Sequence, residues 1–526
     1  MTAAAALEGG PEARAEREFP ALDGLRALAA SAVVLTHASF FTGEHRGDAV
    51  GRVLARLDVG VPVFFVLAGF LLSRPFLRAG LAGTAAPRAV PYLWRRALRI
   101  LPAYWLTVVL AMLLVPANRD LGAGQWVRHL LLLQVYDSLG FAEGLSHTWS
   151  LCTEVAFYLV LPLAAAGLVR LARRDPARPW PVLAALGATA VGSLVWLALV
   201  WGPAFSFVKR DLWLTAYAGW FAVGTALALL TLADAGWGPV RAARELAASP
   251  GTCWTGAAVL FWIACTPVAG PIELSAPTPA QAVVRNLLYA GVAGLLLLPL
   301  VLGPRGGRLH RALSGRPARF LGEISYGLFL LHVVLLTAAY ALLGQPVFSG
   351  SPWLVVPATW LGGVAAATVL YVLVERPLRR FRHAADGLGR PPRGGRRRRS
   401  GSSAAATEQT AAATSTRRAV PVPSTGSSTP ATATSAAAVP PSTAPRRRPD
   451  RAATPAAAAS SARPTGPATS AVPARAPSST AAATARRPRR ARAGEGTGDG
   501  VAGPGRQAAS PASTSTATPP PASAAR

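Results

Sequence analysis

Residues 22–40, LDGLRALAASAVVLTHASF, form a run apolar enough to cross a bilayer, yet it carries Arg26 near one end and His37 near the other. Ionisable groups inside a span are costly and normally mark a function. Eleven residues at about 100° each come within roughly 20° of three full turns, so the two side chains share a face about 16 Å apart along the axis. Each also has a plainer reading. Arg26 alone could snorkel to the headgroups, and His37 could simply hydrogen-bond to a neighbouring helix.

A second group lies in SHTWSLCTEVAFYLVLP, where His147, Ser150, Glu154 and Tyr158 recur at helical spacing on one stripe. Glu154 falls about two turns into the membrane, where a carboxylate needs a partner or must become neutral. In PYLWRRALRILPAYW, Arg96 and Arg99 are three apart and could grip a phosphate or pyrophosphate. On spacing alone they equally read as charges that set topology. GEISYGLFLLH contributes Ser325, Tyr326 and His332, with Ser325 and His332 seven apart on one face. GVPVFFVLAGFLLSRPF mixes small residues with Phe and suits close helix packing. Glu375, just before Pro377, is expected to pair with an inner-loop arginine as a structural contact.

The elements that must position these residues are apolar runs at about 22–41, 57–77, 97–116, 149–170, 181–201, 213–233, 253–270, 280–302, 323–344 and 352–374. The expected fold is therefore all-α, a polytopic membrane protein of about ten transmembrane helices. The run 125–136 is too short to span and fits an interfacial or re-entrant helix. With ten spans and a cytoplasmic N-terminus, seventeen basic residues fall in inner loops, among them Arg74, Arg78, Arg170, Arg241 and Arg305, against eight in outer loops. That asymmetry follows the positive-inside rule and puts both termini in the cytoplasm of a plasma-membrane protein. An eleventh crossing would break it.

Three segments are expected: a disordered N-terminus (1–18), a membrane domain (19–385) and a disordered tail (386–526). The tail is almost entirely Ala, Pro, Ser, Thr, Gly and Arg and cannot bury enough apolar surface to fold. It supplies 21 Arg against five acids, +16 of the total +29. A pI near 11.6 is the kind of value nucleic-acid binders show, but no stacking platform or binding module is visible, and basic loops beside anionic lipid account for the charge. Cys152, Cys253 and Cys265 lie in apolar runs without metal-ligand spacing, so neither a disulfide framework nor a metal site is expected.

Six segments in order, LDGLRALAASAVVLTH, VPVFFVLAGFLL, RRALRILPAYW, HTWSLCTEVAFY, ISYGLFLLH and VERPLRRF, resemble the acyltransferase-3 family of integral membrane O-acyltransferases across about 18–382. Ala68 stands where the family often has Ser, and Cys152 is a further mild departure. The resemblance implies transfer of an acyl group, commonly acetyl from acetyl-CoA, to a sugar hydroxyl of an envelope polysaccharide, lipid-linked glycan or glycosylated small molecule. Acyl-CoA would be a co-substrate, with no permanently bound cofactor. The resemblance carries the Arg–His pair onto Arg26 and His37 and the Arg-x-x-Arg pair onto Arg96 and Arg99, and flags Glu154, Ser325 and Tyr326.

In the mechanism this suggests, Arg96 and Arg99 meet the donor phosphates at the inner mouth and Arg26 holds the arm or a phosphate just inside. His37 acts as general base on the acceptor hydroxyl, with Glu154 or His147 orienting it. The competing class is a transporter or flippase of a glycan or acyl carrier, which ten spans and intramembrane charges also suit; no internal repeat or pair of half-helices supports it. A catalytically dead scaffold fits worse, because its polar residues would only cost insertion energy.

Overall fold

The computed structural model describes residues 18–46, 48–201, 209–272 and 275–384, all within one compact unit. The expected tail, and all but Glu18 of the expected N-terminal segment, lie outside the described residues. Those described are helical with no strand. In chain order the helices are α1 (Ala21–Thr42), α2 (Ala49–Arg56), α3 (Gly60–Leu81), α4 (Ala89–Leu114), α5 (Ala123–Leu130), α6 (Trp149–Ala172) and α7 (Trp180–Val200). They continue as α8 (Leu214–Leu230), α9 (Gly238–Ala247), α10 (Pro250–Ala264), α11 (Pro279–Val301), α12 (Arg308–Leu313), α13 (Arg316–Leu342) and α14 (Pro352–Leu370).

Among the described residues nine helices are long and apolar enough to cross a membrane, and ten if the bent pair α9 and α10 is one crossing. That pair bends by 88°. The run expected at 253–270 is thus shorter than its hydropathy suggests. Pro267 forces Thr266 into extended backbone (φ −96°, ψ 164°), and the helix ends at Ala264. The short run at 125–136 forms α5 of only eight residues, consistent with a helix that does not span. Leu163, Leu342 and Trp353 project outward, exposed, as a surface facing acyl chains would require.

The bundle is held by small residues where backbones meet. At the crossing of α3 and α8, a side chain at Gly69 would collide with the Phe221 carbonyl, and one at Gly224 with the Val66 carbonyl. This is the close approach the Gly/Ala/Phe pattern of α3 predicts. At the crossing of α1 and α13, Gly322 lies against the Asp23 backbone. That contact brings Ser325 and Tyr326 beside the helix bearing Arg26.

The connection from α5 to α6 is not loose. His129 donates from Nδ1 to the Gln125 carbonyl (2.8 Å) and accepts at Nε2 from the Ala142 amide (3.1 Å). Arg128 pairs with Asp137 at 3.0 Å. Asn118 clasps Glu143 through both backbone groups at 2.9 Å. Gln134 bridges the hydroxyls of Tyr104 and Thr148. These buried bonds fix the segment that delivers His147.

Candidate active site

One cavity of about 90 Å³ gathers most of the residues the sequence singles out. Arg26, Arg96, Arg99, Glu154, Ser325 and Tyr326 all line it, from α1, α4, α6 and α13. One water needs only ~10–15 Å³ measured this way, so several groups fit. Ser150 and Tyr158 also line it, and the rest of the wall is apolar, with Leu67, Leu71, Leu72 and Leu151 and the rings of Phe64, Phe65 and Phe329. Arg96 is buried and Arg99 exposed, so the guanidinium pair runs from the rim inward. Charge this deep needs compensation. Arg26 pairs with Asp23 at 2.8 Å, Glu154 shares the cavity, and Glu375 feels the charge of Arg99 and Arg379. Arg99 is thus the inner-loop arginine whose charge acts on Glu375, and one carboxyl oxygen of Glu375 is buried without a hydrogen-bond partner among the described residues. A π-turn at Tyr371–Glu375 carries the carboxyl there.

Tyr158, noted on the helical stripe but not among the expected site residues, belongs to the site. Its hydroxyl donates to Glu154, its ring lies 5.7 Å from the Arg96 guanidinium, and it lines the cavity. Ser325 donates to the Gly322 carbonyl (2.8 Å) and Tyr326 to the Ile100 carbonyl (2.9 Å). With their protons committed, both hydroxyls face a ligand as acceptors.

His37 and His147 do not line this cavity. They meet His332 in a separate cluster of three imidazoles. Ring centroids lie 5.0 Å apart for His37 and His332, 5.2 Å for His147 and His332, and 6.1 Å for His37 and His147. Of the two candidates to orient His37, His147 is its ring neighbour. Glu154 is bonded to Tyr158 among the arginines, and no hydrogen bond joins it to His37 among the described residues. Spacing placed His147 on one stripe with Ser150, Glu154 and Tyr158. The 3₁₀ turn Ser146–Thr148 precedes α6 and winds at a different angle per residue, which turns His147 away from the other three. Cavity and cluster share Phe329, which lines the one and packs 5.1 Å from His147 and 6.2 Å from His332 in the other.

A family profile described as an acyltransferase domain matches residues 19–374, from α1 through α14. The chain belongs to the acyltransferase-3 family. Acyltransferase-3 membership makes it a multi-pass membrane acyltransferase and decides against the transporter reading. The chain is similar to Acyltransferase MdmB of Streptomyces mycarofaciens, 27% identical over 397 residues, covering 69% of this chain and 92% of that protein. It is also similar to Nodulation protein 10 of Rhizobium leguminosarum bv. viciae, 26% identical, covering 68% and 93%. Peptidoglycan O-acetyltransferase OatA of Listeria monocytogenes is 24% identical, with 69% of this chain but 56% of that protein covered; the chain spans just over half its length. No solved structure matches the chain.

Proposed function

We propose that the protein transfers an acyl group, acetyl in the simplest case, from cytoplasmic acyl-CoA to a hydroxyl of a cell-envelope glycan or glycosylated small molecule. The observation that carries this is the adjacency of an arginine-lined cavity and an imidazole cluster across one aromatic ring, Phe329. Arg96 and Arg99 bind the donor phosphates, since guanidinium groups take phosphate through paired hydrogen bonds. Arg26 holds the arm deeper in, and Ser325 and Tyr326 accept from its amides. The apolar wall suits the acyl chain.

His37 then takes the proton of the acceptor hydroxyl, and the oxygen forms a bond to the thioester carbonyl carbon. The carbon–sulfur bond breaks, and the thiolate leaves with the proton His37 returns. Glycan acceptors are favoured by the resemblance to a named peptidoglycan O-acetyltransferase. The basic inner loops support a plasma-membrane protein with both termini in the cytoplasm, so the donor enters from that side.

The test is purified protein in proteoliposomes with labelled acetyl-CoA and soluble peptidoglycan fragments. The reading expects free CoA and glycan acetyl esters in equal amounts. Neither product forming, with native membranes as the acceptor source as well, would contradict it.

A further inference from the structure

The imidazole cluster contains a base whose tautomer can be read from its partners. His37 Nδ1 lies 2.8 Å from the Val33 carbonyl and 3.2 Å from His332 Nε2. His332 Nδ1 lies 3.0 Å from the Leu328 carbonyl. A carbonyl oxygen only accepts, so each Nδ1 carries its hydrogen. His332 Nε2 faces the hydrogen on His37 Nδ1 and must therefore be a bare lone pair. His332 is accordingly neutral, and it is fully buried on α13. His147 is arranged the other way round. Its Nε2 donates to the Leu330 carbonyl at 3.1 Å, and its Nδ1 has no hydrogen-bond partner among the described residues.

We infer that His332 is the positioning residue for His37, holding it as the Nδ1–H tautomer so that Nε2 is the nitrogen that accepts the substrate proton. This rests on the reading of His37 as the base. The hydrogen on Nδ1 stays committed to Val33 and His332 throughout, so the incoming proton has one place to go. Once Nε2 is protonated, the charge of the imidazolium is met at Nδ1 by the lone pair of His332, a charge-assisted hydrogen bond. His332 thus supplies orientation and charge stabilisation without touching substrate, from a second helix that the α1–α13 packing fixes in place.

Two near-isosteric variants separate this from a packing role. In His332→Gln the amide oxygen reaches the position of Nε2 and can accept from His37. In His332→Asn the amide reaches only the position of Nδ1, keeping the Leu328 contact and losing the acceptor. The expected result is that kcat for acetyl-CoA turnover in native membranes stays within about threefold for Gln. It falls about 10–100-fold for Asn, as expected of a lost hydrogen bond to a charged group. KM for acetyl-CoA should not change in either.

Nitrogen-15 spectra of histidine-labelled protein give a readout independent of activity. They should find the His37 hydrogen on Nδ1 in wild type and Gln, and on both nitrogens in exchange in Asn. Equal losses in both variants, no loss in either, or a wild-type His37 protonated on Nε2 would overturn the inference. Turnover retained by His37→Ala would overturn the base role as well, and so identifies a failure of the underlying reading.

Discussion

In the proposed reaction Arg96 and Arg99 hold the donor while His37 moves the proton, and kinetics should separate the two roles. On that reading, replacing either arginine by alanine would remove a charge-assisted contact to a donor phosphate. KM for acetyl-CoA should rise about tenfold or more, with a smaller change in kcat. Initial rates against acetyl-CoA concentration check this, and an unchanged KM in both variants would remove the pair from donor binding. At this scale the sequence marks candidate residues more readily than it shows which ones touch. Arg26, Arg96, Arg99, Glu154, Ser325 and Tyr326 stand out because charge and hydroxyls in apolar runs are expensive, and the family motifs point to the same positions. They do converge. The contact of His37 with His332 joins α1 to α13 over a separation of 295 residues. Helical spacing orders the residues on one helix and carries no information about that crossing.

The connection between α5 and α6 makes the site sensitive to acid. Burial holds His129 below the usual imidazole range, with the Gln125 carbonyl acting to raise it and Arg128 to lower it. A His with a depressed folded value stabilises the fold above its unfolded pKa of ~6.5 and loses that contribution as pH falls towards the folded value. Protonated, its Nε2 would turn a hydrogen towards the Ala142 amide that now donates to it. Amide protection factors in residues 131–148, taken relative to the intrinsic exchange rate at each pH, should therefore fall as pH drops below about 6.5, and His129→Gln should flatten that dependence.

The helix crossings allow a sharper test. Gly224→Ala would push a methyl into the Val66 carbonyl, and overpacking of this kind costs ~1–3 kcal/mol. A lower thermal midpoint in detergent is expected, whereas Gly187→Ala, in open space on α7, should leave it unchanged. The crossing elements were legible because twenty-residue apolar runs have few alternatives. The bend at α9 and α10 was not, because hydropathy counts apolar residues without regard to the prolines that interrupt their hydrogen bonding.

Across the whole molecule, the cavity, the imidazole cluster and the family match all lie between residues 19 and 374. A chain ending after Ala384 should therefore transfer acetyl at a rate within about twofold of the full chain. Loss of transfer with normal membrane insertion would give the basic segment beyond it a part in the reaction. The orientation proposed above, with arginine-rich loops inside, places the donor end of the site towards the cytoplasmic pool of acyl-CoA.

The central claim is that one part of the molecule holds the donor and another moves the proton. Its most direct test is His37→Ala, measured for both equilibrium binding of acetyl-CoA and acetyl transfer. Binding should match wild type while transfer falls by about 10²–10⁴-fold, the usual worth of a general base. Undiminished transfer, or a loss of binding that accounts for the whole fall in transfer, would contradict it.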